Sequence, residues 1–326
     1  MPLNLHLLRL FAVVARTGSF SRAAEILHIS QPAISKGVRD FELQIGCRLL
    51  DRTSKGVRPT REGLALARHA AALFAAERAA EEELQALRSL SSGSLRVGAS
   101  TTIATYMIPE CLGIFHRAHP GIDLHVTSAN TSDIADLLSA HEVDIALVEG
   151  PVVNESLVSE AWRTDLMCLI VGADHRFART SGPIDCALLA EEILIVREPG
   201  SGTRDVVAQA LAAKRVEPKR SLEIGSTEAI KQAVAAGIGV AIVSKAAIDD
   251  QLQLGRIKVV PMRGIRIERT LWQLKCPGRL AAPAATAFER IIRETTVIQR
   301  SSVRGDERAA KARRAPFASK RRRAQV

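Results

Sequence analysis

With 326 residues the chain is long enough for two or three ordinary domains, and its 47% hydrophobic content can fill real cores, which 3% aromatic content makes aliphatic. The net charge of +10 is concentrated at the ends: residues 1–60 carry +5 and residues 300–326 carry +8, leaving the middle at −3. A basic coat over the whole molecule is thereby excluded, and phosphate would be met at the two ends.

Five cysteines (Cys47, Cys111, Cys168, Cys186, Cys276) are scattered and never form a C-x-x-C pair, which argues for reduced thiols and against a disulfide frame or a zinc site. Arg9 and Arg16 interrupt the apolar positions near the start, so no secretion signal is read there. No apolar run approaches the roughly 18 residues a membrane helix needs. A cytoplasmic protein with no membrane partner is expected.

Leu7, Leu10, Phe11 and Val14 recur at helical spacing and predict an amphipathic first helix, broken by Gly18. Ser19 or Ser21 can cap a second helix running to Leu27, with Ile29 turned inward after it. Ser30 caps a third, with Pro32 in its first turn, where a missing N–H costs little. Ile34, Val38 and Phe41 form its buried stripe, while Gln31, Ser35, Lys36 and Arg39 fall on the opposite face, suited to base edges and phosphates in a major groove. Gly46 ends that helix. Residues 48–52 read as a strand, Ser54 to Gly56 as a turn and Val57-Arg58 as the return. In this wing Arg52, Lys55 and Arg58 would position the duplex backbone without reading bases.

The stretch GSFSRAAEILHISQPAISKGVRDFELQIGCRLLDR resembles the winged helix-turn-helix of LysR-type regulators along its whole length. The resemblance implies that Ser30 to Glu42 is the recognition helix and that Arg52 touches DNA backbone. Gly37, mid-helix, should cost about 0.5–1 kcal/mol relative to alanine, and Leu50 stands where the family usually has phenylalanine. The plain alternative, a three-helix bundle with a polar face and no DNA role, does not account for matching residue types across turn, helix and wing.

From Thr60, an N-cap, to about Leu90 the chain reads as one long alanine-rich helix. Leu66, Leu73, Ala80 and Leu87 recur every seven residues, with Ala70 and Leu84 between them and Glu77 interrupting. The plain alternative is a solvated spacer helix; the resemblance implies a dimerisation helix presenting two recognition helices to half-sites about one turn apart. Ser91 to Ser94 forms a joint.

After Gly93, strand and helix patterns alternate, which predicts parallel α/β architecture. Strands are expected at Leu95–Ala99, Asp123–Thr127 and Asp144–Val148, a crossing to a second lobe near Leu166–Val171, further strands at Ile193–Arg197, Ser221–Ile224 and Val240–Val243, and a return at Leu271–Leu274 before a helix near Pro283–Arg293. Ligands of open α/β sheets sit beyond the carboxyl ends of strands. Three hydroxyl-rich helix starts lie there: Ser100-Thr101-Thr102, Gly200 to Arg204 and Gly225 to Glu228. A small anion is expected to bridge the lobes, held by Ser100 and Thr102 on one side and by Ser201, Thr203 and Arg204 on the other. Thr101, Asn130, Thr131, Glu149, Ser226 and Thr227 complete the candidate effector site. Any one of these starts could simply be a capped helix; three at the same end of one fold point to a site.

This segment resembles the periplasmic-binding-protein-like effector domain of LysR-type regulators through ASTTIATYMIPECLGIFHRAHPGI, EVDIALVEGP, REPGSGTR and GSTEAIKQAVAAGIGVAIVS, closest to regulators of autotrophic carbon fixation and to some of sulfur assimilation. The resemblance implies a homotetramer, a dimer of dimers, whose lobe closure on a small anionic metabolite changes dimer geometry and DNA bending. The expected division is a winged helix-turn-helix over 1–62, a connector over 63–92, an effector domain over 93–299 (lobe I 93–165 and 269–299, lobe II 166–268) and a basic tail over 300–326. That tail is a solvated extension or a non-specific, salt-sensitive DNA contact.

No catalytic function, cofactor or metal is expected. His116 and His119 lie three apart without a completing ligand, and no nucleophile elbow, phosphate loop or dinucleotide fingerprint follows a strand. The rival readings are a solute-binding protein or an enzyme domain fused to a DNA-binding module.

Overall fold

The computed structural model describes residues 3–53, 56–88, 93–150, 152, 154, 156–279 and 281–295. The wing turn at Ser54-Lys55, the joint at Ser91-Ser92 and the basic tail lie outside the described residues.

Three capped helices make the N-terminal unit. Asn4 accepts the N–H groups of His6 and Leu7 to start α1 (Leu5–Thr17), and Gly18, at φ 64°, closes it. Ser19 accepts the Arg22 N–H at the head of α2 (Phe20–Leu27), and Ser30 accepts the Ala33 N–H at the head of α3 (Gln31–Ile45), which Gly46 ends at φ 81°. Such caps satisfy backbone groups that have no partner within the helix. Phe11, Val14, Ile34 and Phe41 are wholly buried between the helices, and the Phe11 and Phe41 rings lie 6.2 Å apart. Ile29, expected inside, is 39% exposed. The turn is made by His28 at φ 53° and by the Ile29 N–H reaching the Ala24 carbonyl at 3.2 Å, so the backbone holds the corner and the side chain stays outside.

Gly37 has a reason beyond propensity: a Cβ there would run into Leu10 Cδ1 of α1. Its helix penalty accompanies a close crossing of α1 over α3.

The wing consists of β1 (Leu50–Thr53) and β2 (Gly56–Pro59), antiparallel with Asp51 opposite Arg58. The Glu42 carboxylate, near the end of α3, accepts the N–H groups of Leu49 and Leu50 at 2.8 and 3.1 Å, which fixes the wing's angle to α3.

Thr60 accepts the Gly63 N–H at 3.0 Å and starts α4 (Arg61–Arg88). The heptad stripe splits between two tasks. Ala70 and half-buried Leu66 pack with Phe74 into the N-terminal core, whereas Leu73, Ala80 and Leu84 remain exposed; the Leu87 side chain lies outside the described residues. Glu77, which breaks the repeat, faces α1 and pairs with Arg9, whose guanidinium lies 4.4 Å above the Phe74 ring.

The remainder is one mixed sheet flanked by helices. In chain order it contains β3 (Gly93–Ser100), α5 (Thr101–Tyr106), α6 (Pro109–Ala118), β4 (Ile122–Ala129), α7 (Thr131–Ser139), β5 (Ile145–Glu149), β6 (Val158–Gly172), β7 (Ile184–Asp185), β8 (Ile193–Val196), α8 (Gly202–Ala212), β9 (Arg220–Glu223), α9 (Thr227–Ala235), β10 (Val240–Ser244), α10 (Asp249–Gln253), β11 (Ile257–Val260), β12 (Met262–Arg263), β13 (Ile267–Lys275) and α11 over 283–295. The strand order is β4-β3-β5-β13-β6-β10-β8-β9, with β11 on the far part of β6 and the short β7 and β12 paired apart. Parallel βαβ units sit at each end, on β4-β3-β5 and on β10-β8-β9. Between them β6 and β13 run antiparallel from Ile267 opposite Met167 to Lys275 opposite Val158, so these two strands carry the chain from one lobe to the other and back. The expected crossing at Leu166–Val171 is only the second part of that long strand. Leu95, Ile103, Phe115, Leu147 and Phe288 fill the first lobe; Leu169, Leu194, Val207 and Val240 fill the second.

Replacing Phe41 by alanine should lower the stability of the N-terminal unit by about 3–5 kcal/mol, read as a lower urea midpoint when the full-length chain is unfolded.

Candidate functional site

One face of α3 is free of the core. Ser30, Gln31, Pro32, Lys36 and Arg39 are exposed and Ser35 is half-buried, on the side opposite Ile34, Val38 and Phe41. Ser30 uses its hydroxyl as the cap, at 3.4 Å from the Ala33 N–H, so its place is at the entry of the ridge. Arg58 is exposed on β2, while the Arg52 side chain and Lys55 lie outside the described residues. Because Glu42 ties the wing to α3, ridge and wing stand together as one polar surface. Donors of this length and spacing can meet base edges and flanking phosphates without moving the core behind them.

The second candidate site lies where the lobes meet, and the structure fills part of it from within. Glu149, the last residue of β5, is 1% exposed. Its carboxylate accepts the Thr102 N–H at 3.1 Å, the Thr203 hydroxyl at 2.5 Å and Arg269 Nη1 at 2.7 Å. Arg269 comes from β13 and also donates through Nε to Asp165 of β6 at 2.8 Å, while Asp165 accepts the Ser244 hydroxyl at 2.8 Å. Thr131 donates to the Glu149 carbonyl at 3.0 Å, and a Cβ on Gly202 would collide with that same carbonyl, so α8 approaches β5 closely enough to admit only glycine. The Ser132 N–H reaches the Gly200 carbonyl at 3.3 Å, a direct backbone bond between lobes.

Burial by itself would raise the Glu149 pKa, but the Arg269 charge, aided by Thr203, Thr102 and Ser100, holds it down to about 2. Ser100 contributes least, its buried hydroxyl lying outside hydrogen-bonding geometry. The expected anion cradle of Thr102 and Thr203 is thus already occupied by the chain's own carboxylate.

A different arginine faces the cleft from the one expected. Arg204 turns along the outside of α8 to Glu223 at 2.7 Å and to the Arg197 carbonyl at 2.9 Å, because its position in the first turn points away from the first lobe. Arg197, just past β8, is 2% exposed and spans both lobes, donating to the hydroxyls of Thr101 and Thr227 at 3.3 Å each. Its charge is met by Glu198 in a two-point contact, 2.7 Å at each end. Ser201 is buried at the head of α8, whereas Asn130 and Ser226 spend their side chains capping α7 and α9. A second bridge runs from Tyr106 on α5 to Glu228 on α9 at 2.8 Å, with the fully buried Lys231 salt-bridged to Glu228 and Asp250. Burial disfavours the Lys231 charge, yet Asp250 and Glu228 lift its pKa to about 12.

Arg197, Asp165, Ser244 and Arg269 are the residues that sequence reasoning missed. Two of them left a readable trace: Arg269 shares its strand face with Ile267 and Leu271, and Asp165 with Met167 and Leu169, so each charge sits on an inward face. Among the described residues no group of three metal-ligating side chains gathers, and no helix is long and apolar enough to cross a membrane.

The model of the LysR substrate binding domain matches residues 88–296, and that of the bacterial regulatory helix-turn-helix protein, lysR family, matches residues 5–64. The chain belongs to the LysR family of transcriptional regulators. This LysR-type regulator is 34% identical over 292 residues to the RuBisCO operon transcriptional regulator of Allochromatium vinosum, covering 90% of this chain and 96% of that one. That relative falls in the carbon-fixation subgroup which the sequence resembles, and it is named as a regulator, not as an enzyme. Among solved structures, a full-length OxyR variant from Pseudomonas aeruginosa superposes with a TM-score of 0.72 at 26% identity, over 91% of this chain and 95% of that one. The regulatory domain of Synechocystis PCC6803 CcmR, solved in complex with 2-PG, gives 0.59 at 28% identity, over 63% of this chain and 98% of that one.

A carboxyl whose folded pKa lies below its unfolded value stabilises the fold above the unfolded value and loses that effect as pH falls. For Glu149 the loss should fall between about 4.5 and 2. Urea unfolding of the regulator across that range should show stability falling with acid, with the fall diminished in Glu149→Gln, which starts lower by about 3–5 kcal/mol because Arg269 is left half-paired.

Proposed function

We propose that this regulator binds double-stranded promoter DNA in the cytoplasm as a homo-oligomer, a dimer of dimers paired through the exposed stripe of α4, and that a small anionic metabolite in the interlobe cleft controls it. The reading divides the chain into a DNA-binding unit over 1–62, a connector over 63–92, an effector domain over 93–299 and a tail over 300–326. Within the effector domain 93–165 and 269–299 form one lobe and 166–268 the other. Gln31, Ser35, Lys36 and Arg39 enter the major groove, while Arg52, Lys55 and Arg58 hold the backbone of the duplex.

The observation that carries the effector is Arg197. A guanidinium that is 2% exposed and donates to hydroxyls of both lobes brings a positive charge to the place where the lobes meet, and an anion there would gain a charge-assisted contact from it. An effector held there touches both lobes at once, so its binding energy favours the closed arrangement over an open one. The complex of CcmR with 2-PG supports a small ligand in a regulatory domain of this fold.

Fluorescence anisotropy with the promoter fragment beside the regulator's own gene, against a scrambled duplex, tests both halves. Combined Ser35→Ala, Lys36→Ala and Arg39→Ala should weaken promoter binding by roughly 100-fold or more and erase discrimination between the duplexes, the scale of two lost base or phosphate contacts at about 1–3 kcal/mol each. In a panel of phosphorylated and carboxylate metabolites, Arg197→Gln should abolish the shift in promoter affinity that the active compound produces in wild type. Equal discrimination in the triple variant, or an undiminished response in Arg197→Gln, would refute the corresponding half.

A further inference from the structure

Two buried arginines stand between the lobes, and they are neutralised in opposite ways. Arg269 is shared by two carboxylates, Glu149 and Asp165, each almost fully buried and each tied to further hydroxyls. Arg197 has one carboxylate, and it belongs to the next residue in the chain. Adjacent residues of a strand point to opposite faces. The Arg197–Glu198 pair forms because β8 stops at Val196 and the chain turns through Pro199 to Gly200 at φ 82°.

Glu198 differs from the other cleft carboxylates in what surrounds it. Its side chain is 24% exposed, and among the described residues the carboxylate has no hydrogen-bond partner except Arg197. It lies beside Gly225, whose lack of a side chain leaves that side of the carboxylate uncovered; a Cβ there would lie 3.8 Å from Oε2. The Glu149 carboxylate, held by three donors, has no route to water. The Glu198 carboxylate can swing outward on its own side-chain torsions.

We propose that Glu198 is an internal stand-in for the effector: its carboxylate occupies the two-point site on Arg197, and an anionic ligand binds there by displacing it. The proposal rests on the reading of Arg197 as the anion anchor and adds a competitor to it. The pair keeps the guanidinium neutralised when no effector is present. The same pair makes an arriving anion exchange one charged contact for another, so the gain on binding is only the difference between them. Removing the competitor should therefore tighten binding and, without ligand, leave a buried charge unpaired.

The test is calorimetric titration and thermal melting of the full-length regulator with inorganic phosphate as the probe, in wild type, Glu198→Gln, Glu198→Asp and Arg197→Gln. Glu198→Gln should melt below wild type in phosphate-free buffer, regain the difference as phosphate is added, and bind phosphate roughly tenfold tighter, a change equivalent to ~1.4 kcal/mol. Glu198→Asp, whose shorter arm weakens the two-point contact while keeping the charge, should fall between the two, and gives the same answer if the glutamine variant does not fold. Phosphate binding to Glu198→Gln that is equal to or weaker than that of wild type overturns the competitor. If Arg197→Gln alone loses binding in that case, the anion anchor survives without it. If Arg197→Gln binds phosphate as well as wild type does, or if no variant binds it, the anchor fails and the competitor falls with it.

Discussion

Arg269 must be neutralised where it lies, because neither lobe leaves it a path to water. The chain meets that need with Glu149 from the end of β5 and Asp165 from the middle of β6, at 2.7 and 2.8 Å. The cost of dehydrating three charges is offset only while all three keep their partners, which is why loss of one partner from such a cluster costs several kcal/mol. The consequence is positional. Asp165 and Arg269 sit on the two strands that cross between lobes, Glu149 anchors the first lobe, and Thr203 and Ser244 bring in the second. One electrostatic cluster therefore ties the lobes together, and beside it Gly202 is seated closely on the Glu149 carbonyl.

The same strand that ends at Glu149 begins beside another polar knot. Asp144, just before β5, accepts from Arg96 and from Arg279 at 2.8 Å, and the nearby His141 carbonyl accepts from Arg78 of α4 at 3.2 Å. The five residues of β5 between these points are fully buried. Burial and the three surrounding arginines lower the His141 pKa. The interlobe cluster thus meets one end of β5, and the turn that precedes its other end carries the contact with α4.

At the N-terminal end the physical problem is different. The helix α3 must offer polar groups to solvent on one side and lose none of its packing on the other. Caps from Ser19 and Ser30, the Glu42 carboxylate clamping the wing, and Gly37 admitting α1 all serve that division. The Arg9–Glu77 pair and the Phe74 contact then attach α4 to the same core, leaving Leu73, Ala80 and Leu84 facing outward.

Local physics explains what could be read directly from the residues. Caps, turn glycines and apolar spacing act over a few residues, so the three N-terminal helices, the polar face of α3, the alternation of strands and helices and the crossing into a second lobe were determined by sequence alone. The interlobe chemistry was decided by tertiary structure. Arg204 and Arg197 carry the same guanidinium seven residues apart, and nothing local says that a helix turn sends the first to Glu223 while a strand end delivers the second between Thr101 and Thr227. Nor could spacing reveal that Glu149 fills the cradle of Thr102 and Thr203, since its partners come from residues 47 to 120 positions away in the chain and meet only when both lobes have closed on one buried charge.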